Sequence, residues 1–102
     1  MNRLVLNANI VERSMLRYTP AGLPALDLSL KHESEVSQEG QARKVFFEIK
    51  ARAVGSITAK VQALALGSDH GFAGFLGSQR NGRGIVFHIT EVHAESHTAA
   101  PA

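Results

Sequence analysis

The chain has no cysteine among its 102 residues. That excludes a disulfide framework, a thiolate zinc site and a cysteine nucleophile, and it fits a reducing compartment. Nor is there an apolar run long enough to cross a bilayer, and the opening "MNRLVLNANIVERS" is charged and alternating where a secretory leader needs an unbroken apolar centre. A protein of the cytoplasm, without membrane attachment, is expected. Charge of one sign is scarce too: eleven Lys and Arg oppose nine Asp and Glu, for a net of +2. Placement therefore matters more than the total. Aromatics are few, one tyrosine and five phenylalanines, which weakens any reading that needs many surface rings, such as a cold-shock-type RNA platform.

The histidines, His32, His70, His88, His93 and His97, have no partner at ligand spacing within one element, so no metal site is expected. None of the serines sits in a glycine-bounded strand-to-helix elbow. "GSQRNGRG" lacks the Gly-Lys-Ser ending of a phosphate loop and precedes a strand, where such a loop opens a helix. Neither an enzyme nor a cofactor-binding protein is indicated.

What is present is alternation. Leu4, Leu6, Ala8 and Ile10 begin a first strand. "YTPAGLP" is a rigid turn, because neither proline can donate to a central ladder. "ALDLSLKHE" is a second strand, with Leu26, Leu28, Leu30 and His32 inward. Residues 34–42, where the acids gather in "HESEVSQEGQ", read as a polar loop. "RKVFFEIKAR" is a third strand. Between Gly55 and Gly67 the apolar residues Ile57, Val61 and Leu64 recur at three or four, giving one or two helical turns. "DHGFAGFLGSQ" is a fourth strand with a bulge or bend at Gly74, "RNGRG" a hairpin turn, and "IVFHITEV" a fifth strand. This order predicts one domain over residues 1–94, with 95–102 as a tail. Its fold class is all-β: a five-stranded antiparallel Greek-key barrel, the OB-fold, with a short helical or irregular connector between the third and fourth strands. An SH3-like barrel also packs five strands but normally lacks so long an insertion.

Two adjacent phenylalanines pose the functional question. Strand side chains alternate, so Val45, Phe47, Ile49 and Ala51 face the core while Lys44, Phe46, Glu48, Lys50 and Arg52 face out. Phe47 is expected inside the barrel. Phe46 either fills a second interface or is a stacking platform, its ring taking a nucleobase while neighbouring cations hold phosphates. Glu48 interrupts the basic stripe. Arg80 and Arg83 flank the last turn, which in an OB-fold folds over the ligand face, and Lys31 lies on the second strand beside the third.

"NRLVLNANIVE", "YTPAGLPALDLSLKHES" and "GFLGSQRNGRGIVFHI", in that order, resemble the primosomal replication protein N family, known as PriB, over roughly residues 2–92. The resemblance implies a non-enzymatic OB-fold homodimer, related to bacterial single-stranded-DNA-binding proteins. Such a protein binds single-stranded DNA and works with the PriA helicase and other primosome proteins where stalled replication restarts, at the nucleoid. It places the family's aromatic on Phe46, its base before the first loop on Arg17, and its hairpin bases on Arg80 and Arg83. Glu33 stands where the family has a base near the end of the second strand, and the last hairpin is shorter. Lys31, on the same face as Glu33, partly replaces the lost charge. The expected DNA face is therefore Arg17, Lys31, Lys44, Phe46, Lys50, Arg80 and Arg83. The acids among them keep open a second reading, a protein-interaction adaptor with secondary DNA contact.

Overall fold

The computed structural model of the chain describes residues 1–79 and 82–94. The strands are β1 (Leu4–Arg13), β2 (Arg17–Tyr18), β3 (Pro24–Gln38), β4 (Gln41–Val54), β5 (Asp69–Ser78) and β6 (Ile85–Ala94), with helix α1 (Ile57–Gln62) between β4 and β5. The ring closes in the order β1-β5-β6-β4-β3 and back to β1, while β2 is a two-residue appendage on β3. This is the expected OB-fold barrel with one correction. It is mixed, because β4 and β6 run parallel through Ala51–Phe87, Arg52–His88 and Ala53–Ile89. A closed ring with an odd number of strands cannot alternate direction all the way round, so one neighbouring pair must be parallel.

The expected loop over residues 34–42 is also overturned. β3 continues to Gln38 and pairs in unbroken register with β4, ending at Gln38–Gln41. The reversal is the two-residue turn Glu39–Gly40, with φ of 53° and 76°. Two positive values are what a primed hairpin turn requires to match the twist of its strands. The segment looks like a loop alone because neither face of it is apolar, yet Glu33 and Glu35 lie opposite Phe46 and Lys44, and such cross-strand pairs are what stabilise a sheet.

Elsewhere local chemistry and architecture agree. Gly55 and Gly67 bracket α1 at φ of 86° and 84°. Val61 of α1 is fully buried, and Arg13 donates to the carbonyls of Val61 (3.2 Å), which also accepts from Leu64 N, and of Leu64 (2.5 Å), tying the segment at the helix C-terminus to β1. At the expected irregularity Gly74 pairs with Ile89 while Ala73 pairs with Glu91, so Thr90 is the extra residue on β6. A Cβ on Gly74 would stand 1.8 Å from the His88 carbonyl oxygen, so only glycine admits the partner backbone here.

Ile10, Leu26, Leu30, Phe72 and Phe87 are fully buried and form the core with Leu28, Ala51, Ala53 and Val61. Phe47 is not among them. It has the inward parity of Ala51 and Ala53, yet it is 37% exposed. β1 pairs with β3 only as far as Lys31, so His32 and its partner Phe47 are the first pair beyond the barrel, on a hairpin that projects from it. There the Phe47 ring packs against His32, centroids 5.0 Å apart, and His32 Nδ1 donates to the Asn7 carbonyl at 2.6 Å.

Candidate nucleic-acid interface

Phe46 projects from the outer side of β4 and is 74% exposed, the parity expected of it. Around it the register sets the charges. On the outer face of β3–β4 the opposed pairs are Glu35–Lys44, Glu33–Phe46, Lys31–Glu48, Ser29–Lys50 and Asp27–Arg52. Lys31 also reaches Glu33, Nζ to Oε2 at 3.6 Å. The expected basic stripe is thus a checkerboard in which Lys44 and Lys31 each face an acid, and Lys50 alone of the three lysines faces a neutral residue. Lys44, Lys50 and Phe46 share one exposed face.

Arg17 is not adjacent to them. It stands on β2 and donates through Nε (3.2 Å) and Nη2 (2.8 Å) to Asp27 Oδ2, while Arg52 Nε donates to Asp27 Oδ1 at 2.9 Å. Burial works upward on the Asp27 carboxyl, but the hydrogen bonds and charges of both arginines outweigh it and hold its pKa below the usual carboxylate value. Two cations share one anion, so the cluster keeps a net positive charge. Along β4, Arg52 is six residues from Phe46 on the same face, a span of about 20 Å at about 3.3 Å per residue. The sequence reading placed Arg52 outward but left it out of the site, since nothing in one strand shows that it meets Arg17 through Asp27.

Arg83 lies in the β5–β6 turn between Gly82 and Gly84, at φ of 76° and 77°, and Gln79 N donates to the Gly84 carbonyl to close the turn. Arg80 and Asn81 lie outside the described residues, as does the expected tail, 95–102. On the other side of Lys31 the outer face continues over β1 into an open groove of about 620 Å³ lined by Asn7, Asn9, Lys31, Glu33 and Asp69, polar and of mixed sign. Among the described residues no three His, Asp or Glu gather closely enough to hold a metal, and no helix is long and apolar enough to span a membrane.

A closed five-stranded barrel with a helix between β4 and β5, and a bare aromatic ring on its outer wall between Lys44 and Glu48, has the form of the single-strand-binding class of OB-fold. In agreement, the model of a family described as "Another single-strand binding protein family" matches residues 2–91. Replication restart protein PriB of Bordetella pertussis is 44% identical over 80 residues, which cover 78% of this chain and 75% of that protein. The solved structure of PriB from Ralstonia solanacearum superposes with a TM-score of 0.84 at 35% identity, covering 92% of this chain and 97% of that one. The chain belongs to the PriB family of replication restart proteins. The single-stranded-DNA-binding protein of Thermus aquaticus, 24% identical, shares the fold with a TM-score of 0.71 over 92% of this chain and 50% of that one.

Proposed function

We propose that the protein binds single-stranded DNA without sequence preference across the outer face of β3–β4, and that it acts as a homodimer with the PriA helicase where bacterial replication restarts, in the cytoplasm at the nucleoid. It is a binding module and performs no reaction. The observation that carries this reading is the ring of Phe46, 74% exposed on the outer wall of a PriB-family barrel. An aromatic face accepts any base, because every base has a π-face, and a contact of this kind supplies about 1–3 kcal/mol per base. Lys44 and Lys50 share its face, and Arg17, Lys31, Arg80 and Arg83 complete the set of phosphate partners.

The acids decide how strongly charge contributes. Arg17, Lys31, Lys44, Lys50 and Arg52 share their face with Asp27, Glu33, Glu35 and Glu48, so the described part of the face has almost no net charge. That same observation favours the second reading, an adaptor whose face docks another replication protein. Anisotropy of labelled oligo-dT at two salt concentrations separates them. Single-strand binding should weaken with salt at a log–log slope of about −0.7 per phosphate neutralised. Absence of binding at low salt, with retained capture of the helicase, would favour the adaptor. Light scattering should give twice the 11.0 kDa chain mass.

A further inference from the structure

A second aromatic surface lies outside the core, across the barrel wall from Phe46. Phe75 of β5 and His88 of β6 are directly opposed in register, and their rings stack with centroids 4.7 Å apart and planes only 13° from parallel. Three features of the backbone place them there. Thr90, the extra residue of β6, reverses the parity of that strand, so that His88 faces outward while Phe87 and Ile89 face the core. Gly77 makes room for the imidazole: a Cβ there would lie 3.2 Å from His88 Nε2 and 3.3 Å from Cδ2. Phe75 remains 41% exposed with the stack formed, so the pairing does not use up its surface.

One flank is cationic. β4 runs parallel to β6 with Arg52 beside His88, and beyond Arg52 come Asp27 and Arg17, so the row across the outer wall reads Phe75, His88, Arg52, Asp27, Arg17. Arg52 is anchored through Nε, and among the described residues Nη1 and Nη2 have no hydrogen bond. Burial first, and the Arg52 charge second, lower the pKa of His88, so the imidazole stacks in its neutral form at neutral pH. The part-exposed Phe75 ring, backed by the stacked His88, beside an oriented guanidinium matches the two chemistries of one nucleotide, its base and its phosphate.

We propose that the Phe75–His88 pair is a second stacking position for single-stranded DNA, with Arg52 holding the adjoining phosphate, so that a bound strand follows β4 from Phe46 to Arg52 and crosses there onto β6 and β5. This rests on the single-strand-binding reading above. The test uses oligo-dT and, in parallel, an oligonucleotide carrying 5-iodouracil for photocrosslinking, with the crosslinked peptides mapped. Phe75→Leu keeps apolar volume without a ring and should weaken oligo-dT binding about fivefold or more, in the wild-type background and again in Phe46→Ala. Crosslinks should appear on the peptides holding Phe75 or His88 as well as on β4. Should Phe75→Leu lower the melting temperature markedly, the crosslinks on the unaltered protein decide. Binding within about twofold of wild type in a folded Phe75→Leu protein, or crosslinks confined to β4, overturns this proposal and leaves the function standing. If the unaltered protein binds no single strand at all, both fall.

Discussion

Three phenylalanines on two strands should respond to truncation in three different ways. Phe46 is 74% exposed, Phe47 37% exposed and Phe72 fully buried. Deleting a buried ring leaves a cavity as well as losing its transfer free energy, so Phe72→Ala should cost about 3–5 kcal/mol. Phe47 retains roughly two-thirds of its burial, on a projecting hairpin that can close around the gap, and Phe47→Ala should cost about 1–2 kcal/mol. Phe46→Ala removes surface that is already wet and should stay within about 0.5 kcal/mol. In a domain of this size about 1 kcal/mol moves the melting temperature by about 4 °C. The expected order of melting is therefore Phe46→Ala nearly unchanged, Phe47→Ala down by about 4–8 °C, and Phe72→Ala down by more than about 12 °C. Binding should follow another order. Phe46→Ala should lose about 5- to 150-fold in oligo-dT affinity, the equivalent of about 1–3 kcal/mol. Phe46→Trp should retain it, because the larger ring keeps a stacking face. Thermal melts and anisotropy on the four variants test the register directly. Were Phe46→Ala to melt lower than Phe47→Ala while Phe47→Ala lost the DNA, β4 would be slipped by one residue, and every outward assignment on it would be wrong.

Gly74→Ala should prevent the β5–β6 pairing at His88 from forming, because its Cβ would lie 1.8 Å from a backbone oxygen; a melting temperature within about 5 °C of wild type would refute this. Glu33→Gln removes the acid that lies opposite Phe46 and pairs with Lys31, and should raise oligo-dT affinity and steepen its salt slope by up to about 0.7; an unchanged slope would show that Lys31 meets no phosphate. Asp27 contributes stability in its charged form. Since its folded pKa lies below the ordinary value of 3.8, that contribution is complete above about pH 4–5 and is lost as pH falls through the folded value. Asp27→Asn should thus melt slightly below wild type at neutral pH, the carboxyl being 43% exposed, and the gap should narrow as pH falls below 3.8 and through the folded value. A gap that persists in acid would refute the ionic account.

Much of this molecule is legible in one dimension because strand parity has a period of two. The alternation at Leu26, Leu28 and Leu30 marks a half-buried strand, the glycines at 55 and 67 bracket a helix, and Gly74 marks a bulge or bend, all without reference to a partner. Parity likewise places Phe46 outside. Burial is another matter: Phe47 has core parity and lies beyond the core, because where the barrel ends depends on how far β1 runs along β3.

The amino-acid sequence by itself determined which residues alternate, where the chain turns, and which ring of the phenylalanine pair faces out, since each depends only on neighbours along the chain. Tertiary structure decided everything that needed two strands at once. Residues 34–42 are strand and turn only because β4 supplies partners for a segment with no apolar face of its own. Lys44 and Lys31 stand opposite acids because of register, Arg17 meets Arg52 through an aspartate on a third strand, and Phe75 meets His88 because Thr90 shifts the parity of β6. Local sequence sets the direction of a side chain, but what that side chain meets is set by a strand many residues away.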